Sequence, residues 1–196
     1  ERVHLIYGGL NDYASLQEAV SLSKPDYVFH LAAQSYPKTS FTAPLDTLQT
    51  NIIGTANLLE ALRKTNLDPV IHVCASSEVF GRVKKEDLPI NEEVTFHPAS
   101  PYAISKAATD LIGRFYGEAY GMKVMTTRMF THTGPRRGEV ENERLRPIDA
   151  DLQVPDTTKF KNHTGWEPEI GFEKTMQDLL SYWRQRIGTN KNFLSR

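Results

Sequence analysis

The sequence predicts an α/β protein, a doubly wound parallel sheet joined to part of a smaller second domain. Apolar runs alternate with amphipathic ones in a strand–helix rhythm. The apolar runs are uninterrupted, as strands covered by helices on both faces require. The rhythm then fails past Gly138, where a charged stretch begins, so the expected domain boundary lies between residues 138 and 139.

Residues 3–7 read as a short strand ending at Gly8 and Gly9. Residues 13–23 repeat apolar side chains at helical spacing (Leu16, Ala19, Val20) and stop before Pro25. Residues 27–31 form a continuous apolar run and are expected as a strand buried on both faces. A long helix is expected over 45–62, with Leu48, Ile52, Leu59 and Leu62 in its stripe. Residues 70–74 are the next strand. Residues 101–120 are a second long helix, with Pro101 in the first turn, where a missing N–H costs nothing. A strand over 124–130 follows, then a short segment at 158–166 and a last helix at 172–186. There is no internal repeat and no low-complexity tract.

Composition narrows the function classes. The 196 residues are 39% hydrophobic and 24% charged with net charge −1, the ordinary range of a soluble globular protein. Near-neutral charge supplies no basic field for nucleic acid or anionic lipid. No apolar run approaches the roughly 20 residues of a membrane helix, and residues 1–4 lack the character of a signal peptide. One cysteine, Cys74, allows no internal disulfide and fits a reducing compartment, so a cytoplasmic protein is expected. Cys74 itself reads as inert packing in a core strand. His30, His72 and His163 lack metal-ligand spacing, so no metal is expected. Gly113, Gly117 and Gly121 recur along a helix and read as close packing, with a subunit interface one place for it; Gly54 hints at the same.

Ligands of parallel sheets sit at the carboxyl ends of strands. That rule selects residues 32–35, 76–78 and 131–138. Tyr102 and Lys106 are four apart on an expected helix and share a face. A lysine ammonium stabilises a phenolate; bringing tyrosine from about 10 toward neutrality needs about 3 pH units, or roughly 4 kcal/mol. The resulting phenolate is a base competent for a sugar hydroxyl. Such a pair also arises by chance, and its place directly after the Ser76-Ser77-Glu78 strand end is what singles it out. Ser76 can hold a substrate oxygen and Glu78 can move a proton at carbon. Equally, Ser76 and Ser77 can simply satisfy turn backbone while Glu78 is solvated.

Taken together, His30-Leu31-Ala32-Ala33-Gln34-Ser35, Asn51-Ile52-Ile53-Gly54-Thr55, Ser76-Ser77-Glu78-Val79-Phe80-Gly81 and Ser100-Pro101-Tyr102-Ala103-Ile104-Ser105-Lys106 resemble the extended short-chain dehydrogenases. Within that superfamily, the stretch from Phe130 through Gly134-Pro135-Arg136-Arg137-Gly138 is similar to the GDP-mannose 4,6-dehydratases. The tail at Arg146-Pro147-Ile148-Asp149, Lys159 and Gly165-Trp166-Glu167-Pro168 is similar to them too. The resemblance implies a Rossmann-like dinucleotide-binding domain over residues 1–138 and a remnant of a substrate domain over 139–196. It implies NADP as cofactor, with NAD possible, GDP-mannose as substrate, and a homodimer or homotetramer pairing through the two long helices.

Residue by residue, Tyr102 would take the C4 hydroxyl proton as hydride leaves C4. Lys106 would lower the Tyr102 pKa and bind the nicotinamide ribose, and Ser76 would hold the C4 oxygen. Glu78 would take the C5 proton and help expel the C6 hydroxyl as water. The implied cofactor contacts are Leu10, Leu31, Ala32, Ala33, Gln34, Ser35, His132 and Arg137, besides Tyr102 and Lys106. The implied substrate contacts are Ser40, Thr131, Arg146 and Asp149, besides Ser76 and Glu78; Arg146 would pair with substrate phosphate.

The pattern is not complete. No glycine-rich phosphate loop occurs, and Gly138 and Arg146 lie almost side by side where extended members carry several dozen more residues. The expectation is that these residues belong to a longer enzyme, joined across gaps, and an intact mass near 22.2 kDa would refute it. Gly9 stands where an aspartate usually contacts adenine, Asp46 where relatives carry a tyrosine, Thr131 for an asparagine and Asp149 for a glutamate. A reductase of the 4-keto-6-deoxy sugar carries the same Ser-Glu and Tyr-x-x-x-Lys elements. An epimerase on the same scaffold and a non-catalytic binding protein of this fold are the remaining alternatives.

Overall fold

The computed structural model describes residues 3–131 and 153–188. They divide into two units, the first made of described residues up to Phe130 together with 153–154, the second of Thr131 and residues 155–188.

The first unit opens with helix α1 (Tyr13–Ser23), capped by Asp12, whose carboxylate accepts from the Ala14 and Ser15 amides. Strand β1 (Tyr27–His30) follows, then two short helices, α2 (Pro37–Thr42) and α3 (Pro44–Leu48). A π-helical turn (Gln49–Ile53) leads into α4 (Gly54–Arg63). Strand β2 (Val70–Cys74), helix α5 (Pro101–Tyr120) and strand β3 (Lys123–Thr127) complete it. Helix α5 begins as its sequence predicts: Ser100 accepts from the Ala103 amide at 3.0 Å, and Pro101 occupies the first turn. It ends on Gly121 in the left-handed conformation, φ 67°.

The strands are parallel in the order β1-β2-β3, with Val28 opposite Ile71 and Ile71 opposite Val124. Val28, Ile71, Val73 and Val124 share the face on which α1, α4 and α5 pack. Val20, Leu59 and Leu62 fill the space between. The parallel α/β class is therefore as expected, and what the described residues form is one half of a doubly wound sheet.

The sheet's second face differs from expectation. Tyr27 and Phe29 are 68% and 69% exposed, so β1 is buried on one side only. Residues 3–7 form no strand, because no ladder among the described residues reaches them; Leu5 and Tyr7 lie open. A strand is defined by its neighbour, and apolar composition alone supplies none. The helix expected over 45–62 is also not uniform, since the π turn interrupts it. The glycines of α5 are redistributed as well. A Cβ on Gly113 would stand 2.9 Å from Thr126 Oγ1 and 3.5 Å from Val73, so that glycine serves contact with the sheet, while Gly121 is a cap. Gly54 does mark a close approach: a Cβ there would lie 2.6 Å from Leu10 Cβ.

The second unit contains α6 (Thr158–Thr164) and α7 (Phe172–Gly188), the two elements expected after the rhythm fails. Phe160 and Trp166 meet edge to face at 5.9 Å. Among the described residues no helix is long and apolar enough to cross a membrane.

Candidate active site at the carboxyl ends of the strands

The main-chain pairing of β2 and β3 continues beyond both strands. Ala75 N–H donates to Thr127 O at 2.8 Å, and Ser77 N–H to Met129 O at 3.0 Å. These bonds tie a 3₁₀ turn (Ser77–Phe80) to the end of the sheet. Ser76 caps that turn, its hydroxyl accepting from the Glu78 amide at 3.3 Å, so it meets the backbone need that a turn serine can serve. Ser76 is buried and Glu78 half-buried. Gly81 closes the turn at φ 57°; a Cβ there would fall 1.8 Å from the His97 carbonyl oxygen, which only glycine avoids. Beneath the turn, Phe80 packs on Phe96 and Phe130.

Helix α5 packs against this turn, Ala107 sharing one apolar cluster with Val79 and Phe80. Tyr102 and Lys106 are both buried on that helix. The Lys106 ammonium donates to the Cys74 carbonyl at 2.7 Å, which fixes it to the end of β2. Burial lowers the Lys106 pKa, with the neighbouring Cys74 opposing the change. Cys74 is half-buried on the open sheet face, its sulfur 3.0 Å from Met129 Sδ, rather than wholly inside a core.

The loop after β1 forms the next part of the site. Leu31, Ala32 and Ser35 are exposed, while Ala33 and Gln34 are half-buried. Leu10 is half-buried near α4, its carbonyl accepting from Asn57 Nδ2 at 2.9 Å. Ser40 is buried, and its hydroxyl donates to the Pro37 carbonyl at 2.6 Å, which braces α2. Thr131 is exposed. His132, Arg137, Arg146 and Asp149 lie outside the described residues. No group of three or more His, Cys, Asp or Glu side chains able to hold a metal occurs among the described residues.

Two features of this region carry no role in the sequence reading. Asn51, in the π turn, links the Gln34 backbone to Ser105. Asp110 on α5, 1% exposed, holds Arg128 through bonds of 2.9 and 3.3 Å. No local signal marks either one: each is a polar residue on an amphipathic helix, and only the fold shows it buried.

His30 also lies beneath the site. Its Nε2 is 2.9 Å from Thr55 Oγ1, whose single proton goes to the Asn51 carbonyl at 2.6 Å. Thr55 therefore accepts, and His30 carries its proton on Nε2. Burial, aided by the charge of Lys106, lowers the His30 pKa to about 4. The unfolded chain thus binds an extra proton between pH 6.5 and about 4. The stabilising term is complete above pH 6.5 and is lost as pH falls toward 4, by about 3 kcal/mol. Melting temperatures across that window should fall more steeply for the native chain than for His30→Gln, which keeps a donor for Thr55.

The family model described as GDP-mannose 4,6 dehydratase matches residues 1–144. GDP-mannose 4,6 dehydratase 1 of Arabidopsis thaliana is 41% identical over 139 residues, 69% of this chain and 38% of that protein. The GDP-6-deoxy-D-mannose reductase of Pseudomonas aeruginosa is 41% identical over 111 residues, 57% of this chain and 36% of that protein. The chain thus spans little more than a third of the length of these curated relatives. Among solved structures, RMD from Pseudomonas aeruginosa, complexed with NADPH, superposes with TM-score 0.79 at 24% identity, covering 92% of this chain and 88% of that one. A Thermotoga maritima UDP-glucose 4-epimerase gives 0.84 at 23% identity, covering 95% and 86%. These two likenesses establish the fold.

Proposed function

Given that the chain belongs to the GDP-mannose 4,6-dehydratase family, we propose that it forms the catalytic part of a dehydratase acting on GDP-mannose with bound NADP, NAD being the alternative. The observation that carries this reading is the packing of the Ser77–Phe80 turn against α5, the helix that bears Tyr102 and Lys106. An acid–base carboxylate and a lysine-assisted phenol on adjoining elements are what a sugar oxidation followed by elimination needs.

Tyr102 accepts the proton of the C4 hydroxyl, and the Lys106 ammonium stabilises the phenolate left after Tyr102 loses its own. Ser76 lies beside the C4 oxygen and orients it. Oxidation at C4 acidifies C5, and Glu78 removes that proton and returns it to the departing C6 hydroxyl as water forms; reduction at C6 by the hydride taken from C4 and uptake of a proton at C5, matched by the proton Tyr102 gained from the C4 hydroxyl, would then leave the 4-keto-6-deoxy sugar. When bound, the dinucleotide supplies the hydride acceptor and donor. Towards it this chain offers the exposed loop of Leu31, Ala32 and Ser35 with the half-buried Ala33 and Gln34, together with Lys106. Leu10, His132 and Arg137 complete the proposed cofactor side, and Ser40, Thr131, Arg146 and Asp149 the substrate side.

The test is incubation with GDP-mannose and no added reductant. Formation of a 4-keto-6-deoxy product is expected, and its absence would remove the dehydratase reading. The likeness to the Pseudomonas aeruginosa reductase favours a second reading, reduction of that 4-keto sugar, which instead consumes reduced cofactor stoichiometrically. Residues 139–196 then belong to a substrate domain. Two copies pair through α4 and α5, where Leu111 and Phe115 are 54% and 51% exposed; sedimentation as a monomer at micromolar concentration would exclude that pairing. A cytoplasmic setting suits the lone cysteine.

A further inference from the structure

The turn that carries Glu78 is held from several sides. Its main chain is fixed twice: Ser77 N–H donates to Met129 O at 3.0 Å, and His97 N–H donates to Val79 O at 3.0 Å. A third tie comes from far along the chain. The Ser77 hydroxyl donates to Gln153 Oε1 at 2.9 Å, across 76 residues of sequence. Gln153 lies on a short strap that is itself pinned to the same region, since Ile90 N–H donates to Val154 O at 2.7 Å. Ile90 is buried in the apolar cluster that contains Val79 and Phe80. The strap therefore stays in place by its own main chain, and the Gln153 side chain adds one directed contact to the turn.

The chemistry of that contact is specific. Ser77 is 4% exposed, so water has little access to its hydroxyl, and a buried hydroxyl left without an acceptor is costly. Gln153 supplies the acceptor without placing a second carboxylate beside Glu78. Tyr102 and Lys106 have no part in this bond; Lys106 is anchored instead to the Cys74 carbonyl.

We propose that Gln153 is a positioning residue: through Ser77 it sets the attitude of the turn, and so the aim of the Glu78 carboxylate, while leaving the Tyr102 and Lys106 pair alone. What Glu78 is aimed at rests on the dehydratase reading above; the tie between strap and turn does not. The two halves of the reaction then have separate anchors, α5 for oxidation at C4 and the strap for elimination across C5 and C6. A displacement of about 1 Å at such a group costs on the order of 100-fold in rate.

The test uses the full-length protein with Gln153→Met, which keeps the length of the side chain and removes the acceptor, with Ser77→Ala, and with both together. Leu59→Ala, in the core beside α4, controls for lost stability. In Gln153→Met, kcat on GDP-mannose should fall by up to about 100-fold with KM changed far less, and the Glu78 and Val79 amides should exchange hydrogen faster. Deuterium at C5 of the sugar should slow this variant more than deuterium at C4, because the step that Glu78 performs has become limiting. The double variant should be no worse than the worse single one. An unchanged kcat, additive losses, a larger isotope effect at C4 than at C5, or an equal fall of kcat in Leu59→Ala would overturn the proposal. If Gln153→Met does not fold, Ser77→Ala decides by the same measurements. If the native protein forms no 4-keto product, the dehydratase reading fails separately, and amide exchange alone decides the tie: faster in Gln153→Met sustains it, unchanged overturns it.

Discussion

Tyr102→Phe should lower kcat by on the order of 10²- to 10⁴-fold, the range that a positioned acid–base group contributes, while leaving the melting temperature close to that of the native chain. The substitution removes one oxygen. The Ser100 cap, Pro101 in the first turn and the bond from the Ser105 hydroxyl to the Tyr102 carbonyl all survive it. Binding of substrate should change far less than turnover, because the phenol acts on a proton that moves in the transition state. Steady-state kinetics with a parallel thermal melt would check both halves. A variant that folds and turns over at the native rate would remove Tyr102 from the mechanism, and the proposed function with it.

Asp110→Ala should be the most damaging single substitution to stability, at about 3 kcal/mol or more. Asp110 is 1% exposed and receives two bonds from Arg128. Removing it strands a guanidinium that is only 16% exposed and packed over Phe96 at 4.7 Å and Phe80 at 5.6 Å. An uncompensated charge in such surroundings costs far more than the pair contributes. Since Phe80 ends the turn that carries Glu78, lost stability should come with lost activity. Chemical denaturation of Asp110→Ala against the native chain measures the first effect. A midpoint shift equivalent to under about 1 kcal/mol, as an exposed pair would give, would show that Arg128 finds another partner.

The site was legible in the sequence where its chemistry is local. Tyr102 and Lys106 share a helix face because they are four apart, and Pro101 with Ser100 marks where that helix begins. Ser76 and Glu78 were singled out by their place at the end of a strand, and the structure puts them in a turn there. Asn51, Ser105 and Asp110 were not found, because their roles depend on partners 17 to 54 residues away or on depth in the core. A buried polar residue reads in sequence as an exposed one. Only contact across helices distinguishes them.

Periodicity and capping chemistry determined the helices α1 and α5 nearly to the residue, the parallel α/β class, and the placing of Tyr102 and Lys106 on one helix face. Those are short-range properties, decided within a turn or two of chain. Tertiary structure decided which faces of the sheet are covered, that residues 3–7 form no strand, and that the long helix is opened by a π turn around one carboxamide. Each of these depends on a partner far along the chain, and a hydrogen bond or a buried face exists only when that partner is in place.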